Sequence, residues 1–249
     1  MEGTFAALKE YDAQDLEAYG LQIKRDVLVY ARDRLVWILM PGDKVNLREG
    51  KGVYKMEAHH YKIEGVNIYS LEPLSNEELY LFSQVLKRYR DYPKVLQGLK
   101  IMVGRENGQF YTVADIRNKR IYIDRTNVEL MEIALVHELN HHLYIQYIKG
   151  TPLERELKKA YGHLSSLAIG TEGDPIWNVV DESRVFHLPW RIGHPYHGTE
   201  EMVVSALTSL MLQPNQVRSY QQDLDRKRYE AWEEVFQALR KRFPSLIAD

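Results

Sequence analysis

The chain has 249 residues, 45% of them hydrophobic and 27% charged, the balance of an ordinary soluble globular protein with room for one large domain or a domain plus an appendage. A formal charge of -2 gives no ground for a nucleic acid or an anionic membrane as partner. No run approaches the roughly 18 uninterrupted apolar residues that span a bilayer, and the absence of cysteine excludes disulfides and Cys-ligated metals.

The first residues, "MEGTFAALKEYDAQDLEAYG", carry acids where a secretion signal needs a positive end and an apolar core. The expected location is therefore cytoplasmic, or outside by release without a signal peptide. From Gln22 to Ser70 the chain is rich in Val, Ile and Tyr and is broken by "PGD", "REGKG" and "EGVN". This predicts short antiparallel strands at "DVLVYA", "RLVWILM", "GVYKMEAHHYKI" and "NIYSLE". His59 and His60 are adjacent on a strand, so they point to opposite faces and are not expected to share a metal.

Ser75, with Glu78 three residues later, predicts a capping box that opens a helix over "NEELYLFSQVLKRY". "LKIMVG" reads as a buried strand. "QFYTVAD" and "KRIYIDR", joined by "IRNK", read as a hairpin. A helix from about Asn127 to Ile148 is closed by Gly150, and helices are expected at "LERELKKAYGHLSSLA", "PIWNVVDESRVF" and "EEMVVSALTSLML", the last stopped by Pro214. A charged amphipathic helix over roughly Gln216 to Arg242 ends the chain. No internal repeat or low-complexity segment is present. The reading is an α+β protein divided near residue 72: a small β-rich N-terminal unit over 1–71, and a mixed, mostly helical unit over 72–249.

The apolar helix "ALVHELNHHLYI" contains His137-Glu138-Leu139-Asn140-His141. Residues four apart share a helix face, so both imidazoles can reach one ion with the nitrogen donors that Zn²⁺ prefers. Glu138, rotated off that face, is placed to take a proton from a water on the metal as the water attacks a carbonyl. The bland alternative is a solvated charged face bearing a chance HExxH. Leu130, Ile133, Ala134, Leu139 and Leu143 argue against it, because Glu and two His in an apolar core without a metal cost several kcal/mol to desolvate. His142 is off the ligand face and is expected to be supporting or structural; Asn140 is expected to bond neighbouring backbone.

A catalytic zinc site takes three protein ligands and keeps one open position. No third histidine follows at the "HExxHxxGxxH" spacing. Two later segments supply acids. In "GTEEMVVSALTSLML" Thr199 is the expected N-cap, Glu200 and Glu201 fill the first turn, and Glu201, Ser205 and Thr208 form a polar stripe. In "DPIWNVVDESRV" Asp181 and Glu182 interrupt an apolar helix. Acids in a first turn also suit the helix dipole, and Asp181 or Glu182 can pair with Arg184 or Arg191, so residues alone leave the ligand open.

From about Leu71 to Leu246 the chain resembles the catalytic domain of anthrax-lethal-factor-like zinc metallopeptidases, a branch of the gluzincins with a zincin-like fold. In that family an HExxH helix is followed by a helix opening on a pattern like "EFFAEAF", whose first Glu is the third zinc ligand. Here "EMVVSAL" falls on it, which implies Glu201 as the ligand beside His137 and His141. The upstream "LQGLKIMVG" and "GQFYTVADIRNKRIYID" resemble the family's strand and hairpin, and "LMLQPNQV" with "YEAWEEVFQAL" its closing proline and helix. The family's second acid is Ser205 here; Glu182 or Asp181 can take over its supporting role.

The resemblance further implies an oxyanion donor shortly before the ligand, which makes Tyr196 of "GHPYHGTEE" the candidate, with His194 as substitute. The strand "RIYID", Arg120 to Asp124, is the expected sheet edge for an extended peptide, with Tyr111 and Tyr122 near it. The implied activity is a zinc endopeptidase acting on a peptide or protein, with Glu138 as base. The N-terminal unit is read as an inhibitory segment, a recruiting module or an attachment to a larger assembly. Two alternatives stand beside this: a structural or interaction protein whose zinc only stabilises the scaffold, and a hydrolase with Asp181 or Glu182 as third ligand.

Overall fold

The computed structural model describes residues 59–70, 72–106, 112–117, 119–171, 173–188 and 193–247, with the backbone of five further strands before them. These are β1 (Leu21–Ile23), β2 (Leu28–Ala31), β3 (Arg34–Ile38), β4 (Lys44–Asn46) and β5 (Val53–Lys55). β1, β2 and β3 pair in that order as one antiparallel sheet, and β4 pairs with β5. The chain divides into two compact units, one of residues 1–83 and 98–131, the other of 84–97 and 132–249.

The first unit is organised by a five-stranded mixed sheet. β6 (His59–Ile63) and β7 (Val66–Ser70) form a hairpin through Glu64 and Gly65, whose φ values of 49° and 81° give the two left-handed residues of a tight turn. In β7, Val66, Ile68 and Ser70 are buried and alternate with half-buried Asn67 and Tyr69, the period expected of a strand with one covered face. β8 (Lys100–Glu106) runs parallel to β7, and β10 (Arg120–Arg125) parallel to β8, while β9 (Val113–Asp115) pairs antiparallel with β10. Ile101, Met102, Val103, Ile121, Tyr122 and Ile123 are all buried, as expected of inner strands covered on both faces.

Two expectations are corrected here. The sheet order is β6-β7-β8-β10-β9, so strands on both sides of residue 72 join one sheet, and residue 72 is not where the chain divides. Hydropathy alone could not show that a parallel partner for β7 lies beyond the next helix. Likewise β10, which contains "RIYID", is hydrogen-bonded on both sides and is not an edge. β6 and β9 are the outer strands of this sheet. Tyr111 lies outside the described residues, and Tyr122 is a core residue, 1% exposed. His59 and His60 are exposed on β6, where His60 bonds Asn67 and stacks on Tyr69.

Helix α1 (Asn76–Arg88) opens on the expected capping box: Ser75 N–H donates to Glu78 at 2.7 Å and Glu78 N–H donates to Ser75 Oγ at 3.2 Å. α2 (Pro93–Leu96) follows, and then, beyond the sheet, α3 (Val128–Tyr147), capped by Asn127, whose side chain accepts from Leu130 N–H. The second unit continues with α4 (Pro152–Leu167), capped by Thr151. The predicted helix "PIWNVVDESRVF" is instead two short pieces, α5 (Pro175–Asn178) and α6 (Glu182–Val185). Asp181 makes the break: its backbone is extended and its carboxylate accepts from Ser183 N–H and Oγ–H.

A 3-10 turn (Pro195–His197) leads into α7 (Thr199–Leu212). The N-cap of α7 is Gly198, φ 139°, so Thr199 is already helical. The single C-terminal helix expected from the charge pattern is also two: α8 (Pro214–Gln222) and α9 (Arg226–Arg242), the second capped by Asp225. The core of this unit joins Leu135, Leu139 and Leu143 of α3, Val203 to Leu207 of α7, and Trp232, Val235 and Phe236 of α9, all buried. Trp232 donates its indole N–H to the Ile176 carbonyl at 2.6 Å. The architecture is mixed α+β, with a small mixed sheet and a mostly helical C-terminal part. Among the described residues no helix is long and apolar enough to cross a membrane.

Candidate metal centre

His137, Glu138, Asn140 and His142 of α3 are buried and His141 is half-buried, which makes their partners decisive. His137 is 3% exposed and Asn140 and His142 are fully buried. His137 and His141 lie one turn apart with ring centroids separated by 5.0 Å. From the first turn of α7, Glu201 presents one carboxylate oxygen 3.9 Å from His137 Nε2 and the other 3.5 Å from His141 Nε2. The three residues offer one ligand atom each, all within 4.8 Å of one another, a group that can hold a metal ion.

The other ring nitrogen of each histidine meets a carboxylate. His137 Nδ1 is 2.7 Å from Glu182 Oε1, and His141 Nδ1 is 2.8 Å from Glu200 Oε1. A carboxylate there accepts the Nδ1 proton, fixes the ring and leaves Nε2 as the lone-pair donor. Both Nε2 atoms are the ones that face Glu201. The donor set of two neutral imidazoles and a carboxylate is one that zinc accepts.

Burial disfavours the charged form of His137, but the Glu182 carboxylate, with Glu138 and Glu201 adding to it, outweighs that and holds the ring at about 9. Without an ion the ring is therefore an imidazolium at neutral pH, and any cation that binds must displace its proton.

Glu201, rather than Glu200, Asp181 or Glu182, completes the three-donor group. Glu200 and Glu182 are spent on the Nδ1 atoms, and Asp181 caps α6. Of the pairings open to Glu182, the structure shows one with His137 and none with Arg184; Arg191 lies outside the described residues. Glu138, 7% exposed, sits on α3 beside His137. Asn140 does not bond neighbouring backbone: it accepts from the Tyr89 hydroxyl at 2.9 Å and donates to Thr208 Oγ at 3.0 Å. His142 is not among the three donors.

Tyr196 lies in the 3-10 turn before α7, half-buried, with its carbonyl accepting from the Tyr161 hydroxyl at 2.7 Å and its ring against His194 and His197. The contact of Glu200 with His141 Nδ1 is one that the sequence alone does not announce, because it depends on how α7 meets α3. No protein-family model, curated protein or solved structure matches this chain.

Proposed function

We propose that this protein is a zinc-dependent endopeptidase of zincin-like fold, acting on an extended peptide or protein. The observation that carries the reading is the convergence of His137, His141 and Glu201, with a carboxylate behind each imidazole. Zinc, when bound, lowers the pKa of a water towards ~7 and polarises the substrate carbonyl.

His137 and His141 hold the ion through Nε2 and Glu201 through a carboxylate oxygen. Glu182 and Glu200 keep the rings oriented and in the tautomer the ligands need. Glu138 accepts the proton of the attacking water and passes it to the leaving amine. Tyr196, by its hydroxyl, donates to the substrate oxygen as it becomes negative. Three protein donors are the complement of a catalytic zinc site, and a site built only for stability has no use for Glu138. This favours an enzyme over a scaffold protein, and it supports the resemblance to the lethal-factor-like gluzincins.

The test is to incubate the protein and its Glu138→Ala variant with a diverse peptide library, with and without chelator, and to read cuts by mass spectrometry. Cuts that need both Glu138 and metal are expected. Cutting that survives either loss, or no zinc in the purified protein after metal loading, overturns the proposal.

A further inference from the structure

The buried Glu182 carboxylate has a second oxygen, and a residue outside the three-donor group borders it. Glu182 Oε1 is engaged by His137, whereas Oε2 is buried with no hydrogen-bond partner. Ser205, fully buried on α7, likewise has an Oγ with no partner. Both atoms border Gly193. A Cβ placed on Gly193 would stand 2.1 Å from Glu182 Oε2 and 2.7 Å from Ser205 Oγ, so the carboxylate would have to shift. Gly193 does not have the positive φ that explains glycine elsewhere in the chain, such as Gly65 or Gly198. Its missing side chain is therefore a matter of space, and the space belongs to the carboxylate.

We infer that Gly193 is a positioning residue for His137, acting through Glu182; this rests on the metal-centre reading above. Gly193 leaves the room in which the carboxylate stands behind the ring. A carboxylate that keeps this place stays against Nδ1, so Nε2 keeps its aim at the ion.

The test uses the full chain, Zn²⁺ itself as probe and chelator competition as the measure of affinity. Gly193→Ala is expected to weaken Zn²⁺ binding by about 10–100-fold, the usual effect of losing a ligand's orienting partner. In a Glu182→Ala background the same substitution is expected to change affinity by less than about twofold, because the group it displaces is gone. A general packing defect would carry its penalty into both backgrounds.

A second readout needs no metal. In the metal-free protein with ¹⁵N-labelled histidine, the His137 Nδ1–H resonance is expected in the parent and lost in Gly193→Ala. If Gly193→Ala fails to fold, the Gly193→Ala, Glu182→Ala double variant carries the test: recovered folding, read by melting temperature, is expected, and a double variant that also fails to fold while Glu182→Ala folds overturns the inference. Parent-like zinc binding and an unmoved resonance in Gly193→Ala, or an undiminished penalty in the Glu182→Ala background, overturns the inference. A parent that binds no zinc but shows the resonance changes would sink the metal reading and leave this one standing.

Discussion

Glu200 Oε1 lies 2.8 Å from His141 Nδ1, on the far side of the ring from the nitrogen that faces Glu201. Two adjacent acids in one helical turn thus have different tasks, which zinc content separates. Glu201→Ala removes the proposed carboxylate ligand and is expected to leave the protein without zinc after dialysis against a mild chelator. Glu200→Ala removes only an orienting partner and is expected to weaken zinc by about 10–100-fold. Asp181→Ala removes an N-cap, so zinc stays while unfolding free energy falls by about 1 kcal/mol. If Glu200→Ala lost all zinc and Glu201→Ala kept it, the ligand assignment would be reversed.

Glu138 has no place in the three-donor group, so its removal should separate chemistry from binding. Glu138→Gln keeps the size of the side chain and loses the proposed base. Zinc is expected to remain at one per chain, with kcat for a peptide found in the library screen lowered by about 10²–10⁴-fold. Metal analysis alongside initial rates decides the matter: a parallel loss of zinc and rate would make Glu138 a structural residue.

His137 provides a pH dependence with a definite sign. Its folded-state pKa is about 9, above its ordinary 6.5, because the Glu182 carboxylate outweighs burial. In the metal-free protein the stabilisation from the protonated ring is complete below about pH 6.5 and is lost as pH rises towards 9. The melting temperature of the metal-free protein is therefore expected to fall over that window, and to fall less in Glu182→Gln. Zinc uptake at pH 7 should release about one proton from this ring, readable by calorimetry in buffers of different ionisation enthalpy. A metal-free protein that gained stability from pH 6.5 to 9 would contradict the pairing.

The helices were legible where local chemistry decides them. Ser75 with Glu78, and the run from Val128 to Tyr147 before Gly150, carry their own start and stop signals. The convergence of His137 and His141 was legible because residues four apart share a helix face. What stayed hidden depends on partners distant in sequence. The place of β10 inside the sheet follows from β8 on one side and β9 on the other. Asp181 reads as an interruption of an apolar helix and proves to be the cap of a new one, a distinction that only backbone geometry makes. Asn140 turned to Tyr89 and Thr208 because both reach it from other helices or loops.

That last network gives a prediction about stability that is independent of metal. The Tyr89 hydroxyl is fully buried and donates to Asn140 Oδ1, while Asn140 Nδ2 donates to Thr208, whose own hydroxyl donates to the Val204 carbonyl at 2.8 Å. Burial also raises the pKa of the phenol far above its usual value, so it stays a donor across the working range. Tyr89→Phe keeps the ring and withdraws the donor, which leaves a buried amide oxygen short of a partner. The expected cost is about 1–3 kcal/mol in urea denaturation of the metal-free protein. Asn140→Leu should cost a similar amount, because the phenol keeps only a 3.4 Å contact with the Val136 carbonyl and Thr208 Oγ loses the hydrogen bond it accepts. The double variant replaces both ends of the bond and should lose less than the two single variants together. A strictly additive double variant would mean that the hydrogen bond contributes nothing and that Asn140 is held only by packing.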